Sequence, residues 1–144
     1  MKLKLSILFS FFCLSSWAQE YIPKGKEAQV MKVLKLQECA WNNANLDSFM
    51  LFYWNSPDLR FVSKNGVKKG WQPVYDGYKK NYAEKGQMGK LSFVISSIEL
   101  VSNDNAMVIG SWKVENSTGV HEGYFTLWFK KIKGNWLIVV DHTS

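Results

Sequence analysis

The feature that most restricts the fold is a series of four long apolar segments joined by short turns, which fills the C-terminal part of the chain. They span residues 90–101, 106–115, 120–131 and 136–144. Ser117-Thr118 and Lys133-Gly134 separate the last three segments, and these short connections are typical of hairpin tips. Strands joined by such short connections must be antiparallel. The sequence therefore predicts an antiparallel meander.

The first hairpin tip sets the register of two strands. If Ser117-Thr118 is the tip, Trp112 lies opposite Gly123 and Gly110 lies opposite Phe125. Each large ring then meets a glycine, which lets the sheet bend strongly and leaves space above its backbone. We therefore expect a curved sheet with a hollow on one side.

The second hairpin tip predicts where the last side chains point. With Lys133-Gly134 as the tip, Phe125 lies opposite His142. Strand alternation then turns His142 and Ser144 toward the core, while Asp141 points outward. We therefore expect His142 and Ser144 to line the hollow.

Three helices are predicted before the meander, at residues 26–44, 46–53 and 70–84, with a short hairpin around Asn65-Gly66 between the second and third. Trp41 lies on the apolar face of the first helix, and Tyr75 and Tyr78 lie on that of the third. Helices with one apolar stripe must bury it against the sheet. The fold class expected is therefore α+β, a cone-shaped, strongly curved mixed or antiparallel sheet with three helices on its concave side.

The outer side of the predicted sheet is too apolar for a surface left in water. It carries Tyr124, Trp128 and Val139 among charged neighbours. Since most soluble oligomers are symmetric homo-oligomers, a homodimer packed sheet against sheet is expected.

The first 18 residues have the pattern of a signal peptide. Lys2 and Lys4 precede a short apolar run, and Ser16 and Ala18 provide small residues for cleavage. We expect cleavage near Ala18, a tail at 19–26, one domain at 27–144, and a periplasmic or secreted location. The apolar run is too short to span a bilayer, and the net charge of +6 comes largely from scattered lysines, so neither a membrane nor a nucleic-acid partner is expected.

The order of elements and the final residues GNWLIVVDHTS resemble the nuclear transport factor 2-like superfamily. Within it, the chain is most similar to SnoaL-like domains of unknown function, whose tails often read G-x-W-x-I followed by D-H-x-S. Trp41-Asn42 at the end of the first helix and Gly123 in the third long strand also fit. The resemblance covers about residues 27–144 and implies the cone fold. It implies little about activity, because this superfamily includes isomerases, dehydratases, cyclases and transport factors.

The resemblance leaves the question of catalysis open. Ketosteroid isomerases of this superfamily use a tyrosine on the first helix and an aspartate on a pocket-facing strand. Here the first helix has no tyrosine, and the strand positions predicted to face inward carry no acid. His142 is thus interpreted as a core histidine, a ligand contact, or a general acid or base, in that order of preference.

The function predicted is binding of a small organic ligand in an apolar pocket, without a metal or a cofactor. The predicted ligand-binding residues are Trp41, Tyr75, Tyr78, Trp112, Phe125, Trp136, His142 and Ser144. One alternative is a dehydratase, isomerase or cyclase that uses His142. The other is a structural dimerisation domain whose cone is filled by aromatic side chains.

Overall fold

The computed structural model describes residues 22–82 and 87–144. The predicted signal peptide, residues 1–18, lies outside the described residues. The elements in chain order are α1 Gly25–Asn42, α2 Leu46–Met50, β1 Arg60–Ser63, β2 Gly66–Lys69, α3 Trp71–Asn81, β3 Lys90–Leu100, β4 Asn105–Asn116, β5 Gly119–Ile132 and β6 Asn135–Thr143. Their order agrees with the sequence prediction. Within the described ranges, no helix is long and apolar enough to cross a membrane.

The strands form one mixed sheet of six, in the order β2-β1-β6-β5-β4-β3. Neighbouring strands are antiparallel except β1 and β6, which run parallel. The sheet is curled without closing into a barrel, and the three helices complete the cone. The predicted α+β cone is therefore confirmed.

Both predicted hairpin tips are present. Asn116 pairs with Gly119 around the first tip, and Ile132 pairs with Asn135 around the second. In the second tip, Lys133 has φ 49° and Gly134 has φ 86°. Two consecutive positive φ angles are the backbone conformation of a type I′ turn, whose twist matches that of the flanking strands.

A β-bulge in β6 changes which side of the sheet the last side chains of the chain face. Trp128 pairs with Val140, but Phe129 pairs with Ile138, so Val139 has no partner on β5. One extra residue in a strand reverses the alternation of side chains beyond it. Ile138 and Asp141 are accordingly both buried, although they are three residues apart.

The predicted orientations of His142, Ser144 and Asp141 are therefore wrong. Phe125 pairs with Thr143 instead of His142. His142 and Ser144 are exposed, whereas Asp141 is buried on the concave side. The strand positions that face inward thus do include an acid, contrary to the argument from the sequence.

Helix α1 closes one edge of the sheet through polar side chains. Asn42 accepts a hydrogen bond from Leu91 N at 2.7 Å and donates one to Leu91 O at 2.9 Å. Glu38 Oε2 accepts a hydrogen bond from Phe93 N at 2.7 Å. Because β3 is an edge strand, these contacts satisfy backbone groups that would otherwise be open to pairing. They also fix α1 over the concave face, where its buried residues Val30 and Leu34 pack into the core.

Candidate ligand site

A cavity of about 190 Å³ lies between the helices and the concave face of the sheet. Of the sixteen described residues that line it, nine are aromatic. The helices and the segment after α2 contribute Trp41, Phe49, Tyr53, Tyr78 and Tyr82. The strands contribute Phe61, Phe93, Trp112 and Phe125. The cone is therefore not filled completely by its aromatic side chains.

Within the described ranges, the lining of the cavity reaches the surface near the C-terminal end of α3. Asn81 in its lining is exposed, and Tyr82, Phe93 and Thr143 are half-buried. Deeper in the cavity, Trp41 is buried in the core. A small molecule could therefore enter beside α3 and reach a mostly apolar interior.

Asp141 is the one acidic residue among the described residues of this lining. It is only 5% exposed, and its Oδ2 accepts a hydrogen bond of 2.7 Å from the hydroxyl of buried Tyr53. Burial raises the pKa of the Asp141 carboxyl to about 6, while the hydrogen bond from Tyr53 acts in the opposite direction. The carboxyl therefore changes its charge close to neutral pH.

Two tyrosines share the surroundings of Asp141. Burial, the nearby Asp141 charge and contact with Tyr78 all raise the pKa of Tyr53. Burial and the nearby Asp141 charge raise the pKa of Tyr78 as well, and each phenol affects the pKa of the other. Both therefore remain neutral near pH 7. Among the described lining residues, Asp141 is the group that can carry charge there.

Three buried polar atoms point to a polar ligand. Asp141 Oδ1, Gln37 Nε2 and Trp112 Nε1 have no hydrogen-bond partner within the part of the chain that the structure describes. All three residues line the same cavity. Since a buried polar group without a partner is unfavourable by about 1–3 kcal/mol, such groups are normally satisfied. The residues around the cavity thus carry one unsatisfied acceptor, on Asp141, and two unsatisfied donors, on Gln37 and Trp112.

Two glycines shape the wall of the cavity. A Cβ atom added to Gly123 would lie 3.0 Å from Trp112 Nε1, and one added to Gly110 would lie 2.7 Å from Phe125 Cζ. The indole of Trp112 and the ring of Phe125 therefore lie directly on the sheet backbone. The predicted pairing of each ring with a glycine is confirmed.

The structure places four of the eight predicted ligand-binding residues in the cavity lining: Trp41, Tyr78, Trp112 and Phe125. Their role in binding stays a prediction. The other four, Tyr75, Trp136, His142 and Ser144, do not line it.

Each of those four lies elsewhere for a local reason. The Tyr75 hydroxyl donates a hydrogen bond to Asp47 on the surface. Trp136 is buried and its Nε1 donates to Gln29 Oε1 at 3.1 Å, near the start of α1. His142 lies opposite Thr126 on the outer side of the sheet, and the bulge turns Ser144 outward with it.

Sequence reasoning missed Asp141, Gln37 and Tyr53. The bulge concealed Asp141. Gln37 follows Val30 and Leu34 on the stripe that also contains Trp41, a spacing that places it on the buried face of α1. That position was a usable signal, because a polar residue within an apolar stripe often has a specific partner.

Metal-binding groups are absent from the described residues, in which no three His, Cys, Asp or Glu side chains cluster suitably. His121 lies at the first hairpin tip, where its Nε2 is hydrogen-bonded with Thr118 Oγ1 at 2.7 Å. It is therefore remote from Asp141 in the cavity.

Solved structures resemble this chain over most of its length. A nuclear transport factor 2-like protein of unknown function from Shewanella oneidensis is 38% identical with a TM-score of 0.81, covering 83% of this chain and 99% of that one. A nuclear transport factor 2-like superfamily protein from Salmonella enterica is 16% identical with a TM-score of 0.66, covering 81% and 88%. A ketosteroid isomerase-like protein from Erwinia carotovora is 18% identical with a TM-score of 0.65, covering 81% and 93%. No protein-family model matches the sequence, and no curated protein matches it.

Proposed function

Since the chain belongs to the nuclear transport factor 2-like family, we propose that it binds a small organic ligand in the cavity around Asp141. The observation that carries this proposal is that Asp141, Gln37 and Trp112, each with a buried polar atom that has no partner among the described residues, all line one aromatic cavity. A bound molecule with both a donor and an acceptor would satisfy them.

The volume of the cavity limits the size of the ligand. Pockets for drug-sized molecules occupy about 300–1,000 Å³, whereas an engineered cavity of about 150 Å³ in another protein holds benzene. The cavity here measures about 190 Å³. The ligand is therefore a compact molecule with about one ring and a few substituents.

Neighbouring positions on β6 provide a matched test of this proposal. Thr143 lines the cavity and is half-buried, whereas His142 points to the outer side. We expect Thr143→Trp to prevent binding of one-ring fragments, and His142→Trp to preserve it. Ligand-observed NMR with a fragment set measures both, and circular dichroism checks the folding of each variant. Equal binding by the two variants would refute the cavity as the binding site.

Proton transfer in the same cavity is a second candidate function. It is favoured by the position of Asp141, whose carboxyl has a pKa of about 6 and is held by the Tyr53 hydroxyl. A general acid or base works best with a pKa near the operating pH. If the protein is an enzyme of this kind, Asp141→Asn should retain the binding of a neutral ligand and lose turnover of the substrate. A variant that keeps both ligand binding and substrate turnover would exclude catalysis by this carboxyl.

Export is proposed from the sequence of residues 1–18. A basic start, a short apolar run and small residues before Gln19 are the features that signal peptidases recognise. Intact-mass measurement of the protein from cells and from the exported fraction tests this. A mature chain that begins at Gln19 is the expected result, and a full-length chain retained in the cytoplasm contradicts it.

A homodimer through the outer side of the sheet is also proposed. Tyr124 is 72% exposed there and Val94 is likewise exposed, while Trp128 and Val139 are half-buried. Lys113 on β4 lies opposite Glu122 on β5 on the same side of the sheet. Because a two-fold interface places a patch against its own copy, adjacent groups of opposite charge allow it to be self-complementary.

A further inference from the structure

We propose that the cavity selects a small organic cation, an amine whose N–H donates a hydrogen bond to Asp141 Oδ1. This inference rests on the proposed ligand-binding function and names the class of ligand. It follows from the combination of a buried carboxylate, an aromatic lining and the hydrogen bond that already occupies the other carboxylate oxygen.

The hydrogen bond from Tyr53 orients the carboxylate. It occupies Asp141 Oδ2, and Oδ1 is left without a donor among the described residues. An ionised carboxylate has no proton to donate, so its oxygens act only as hydrogen-bond acceptors. The ligand must therefore supply an N–H or an O–H at this point. A charged donor forms the stronger bond, because hydrogen bonds between ionised groups are roughly twice as strong as neutral ones.

The charge of the cavity favours the ammonium over the hydroxyl. Of the described lining residues, none is a lysine, an arginine or a histidine that could balance Asp141. Removing an unpaired carboxylate from water is unfavourable unless an opposite charge accompanies it. A cationic ligand provides that charge, whereas a neutral alcohol leaves the carboxylate unbalanced.

The aromatic lining strengthens this preference. Trp41, Tyr53, Tyr78 and Trp112 are among the nine aromatic residues around the cavity. Aromatic faces are electron-rich and attract organic cations within about 6 Å of the ring centre. A carboxylate within an aromatic lining is thus complementary to an alkylammonium group and unfavourable for an anion.

The two unpartnered donors specify a second group on the ligand. Gln37 Nε2 and Trp112 Nε1 both require an acceptor. An amine satisfies neither, so the physiological ligand is expected to carry an oxygen as well, in a hydroxyl or a carbonyl group. The class is therefore a compact amine with an oxygen substituent.

The test compares probes of the same size and different charge. Benzylamine, benzyl alcohol and benzoate are titrated into the full chain at pH 7.5, and binding is measured by calorimetry and NMR. We expect benzylamine to bind about tenfold more tightly than benzyl alcohol, the difference that one charged hydrogen bond supplies. Benzoate is expected to bind most weakly.

Two variants test whether the Asp141 carboxylate causes the preference for benzylamine. Asp141→Asn should remove the preference for benzylamine while keeping the affinity for benzyl alcohol within about threefold. Asp58→Asn is the matched control, because it removes an exposed carboxylate that is paired with Lys69 on the surface. This control should bind all three probes as the parent protein does.

The pH dependence gives an independent readout. Tyr53 and Tyr78 are the titratable groups that face Asp141, and both stay neutral below pH 8. Near pH 5, only about one tenth of a carboxyl with a pKa of about 6 is ionised. The affinity for benzylamine, which stays protonated, should therefore fall about tenfold from pH 7.5 to pH 5.

Each outcome decides between the two proposals. If benzyl alcohol binds as tightly as benzylamine, or if Asp141→Asn leaves the preference unchanged, the selection of a cation is wrong while ligand binding stands. If none of the probes binds the parent protein, both the selection and the binding function at this cavity are wrong.

Discussion

The hydroxyl of Tyr53 donates a hydrogen bond of 2.7 Å to Oδ2 of Asp141, which links the segment after α2 to the last strand of the sheet. Both residues are buried, and they are 88 positions apart in the chain. The bond holds a carboxyl inside an aromatic cavity in one orientation. It therefore connects the stability of the fold to the chemistry proposed for the site.

Asp141→Asn should stabilise the protein at neutral pH. The pKa of Asp141 rises from 3.8 to about 6 on folding, so the folded state favours the protonated carboxyl. The resulting stability is present below pH 4 and is lost as pH rises through about 6. The difference between the two pKa values corresponds to about 3 kcal/mol in the free energy of unfolding. Urea unfolding at pH 4 and pH 7.5 should show the variant gaining up to this amount, relative to the parent, at the higher pH.

Asp104→Asn is the control, because the pKa of Asp104 is shifted in the opposite direction to that of Asp141. Hydrogen bonds from Ser102 and Asn105 lower the pKa of this exposed carboxyl. Its contribution to stability is thus present above the unfolded pKa and lost as pH falls. The variant should be less stable than the parent at pH 7.5 and approach it in acid. A gain at neutral pH in both variants would argue against burial as the cause at Asp141.

Tyr53→Phe should destabilise the fold and raise the pKa of Asp141 further. The change removes the donor to Oδ2 and leaves a buried acceptor unpaired, a loss of about 1–3 kcal/mol at neutral pH. NMR titration of the Asp141 side-chain carbon measures the pKa. Tyr75→Phe is the matched control, because it removes a phenol bonded to Asp47 on the surface. An unchanged Asp141 titration in Tyr53→Phe would contradict the proposed coupling.

Asn42→Ala should loosen the edge strand β3. It removes the two hydrogen bonds to Leu91, at 2.7 and 2.9 Å, and should reduce the free energy of unfolding by about 1–3 kcal/mol. The neighbouring Asn43→Ala loses an exposed bond to Cys39 O and should change it by about 0.5 kcal/mol at most. Hydrogen exchange at the Leu91 amide should accelerate only in Asn42→Ala. Equal exchange in both variants would remove this role of Asn42.

Gly123→Ala should disturb both the end of β6 and the cavity wall. The added Cβ would lie 1.8 Å from Ser144 O, so the backbone has to move. Such overpacking reduces stability by about 1–3 kcal/mol. Glu99→Ala, at an exposed position on the edge strand β3, is the control and should have little effect. Urea unfolding compares the two, and a Gly123→Ala variant as stable as the control would show that this close approach is not maintained.

Tyr124→Glu should convert the proposed dimer into a monomer. Tyr124 is 72% exposed on the outer side of the sheet, and a charge there is unfavourable in a buried interface. Leu51→Glu changes a side chain that is 70% exposed outside the sheet, so it is the matched control. Analytical ultracentrifugation gives the mass of each. A parent protein that is already monomeric, or a Tyr124→Glu variant that remains dimeric, would refute this interface.

The strand pairing shows how far local pattern reaches. The turns at Ser117-Thr118 and Lys133-Gly134 allowed the β4–β5 register and the start of the β5–β6 register to be predicted correctly. Short turns are local, so their geometry is encoded in adjacent residues. The pairing of Trp112 with Gly123, and with it one wall of the cavity, followed from the sequence for this reason.

The bulge at Val139 could not be predicted in the same way. Leu137, Ile138, Val139 and Val140 are all apolar, so no polar residue marks which side of the strand faces the core. The parallel partner β1, which places Phe61 beside Asp141, was not anticipated in this position either. Because of the bulge, Asp141 faces the cavity and His142, the predicted site residue, lies on the outer side of the sheet.

The sequence by itself determined the order of elements, the antiparallel meander, the aromatic content of the cone and its family, because periodic apolar residues and tight turns act over short distances. Only the tertiary structure decided which polar group enters the cavity. A single unpaired residue, Val139, reverses every side chain after it, and its position depends on strands and helices far away in the chain.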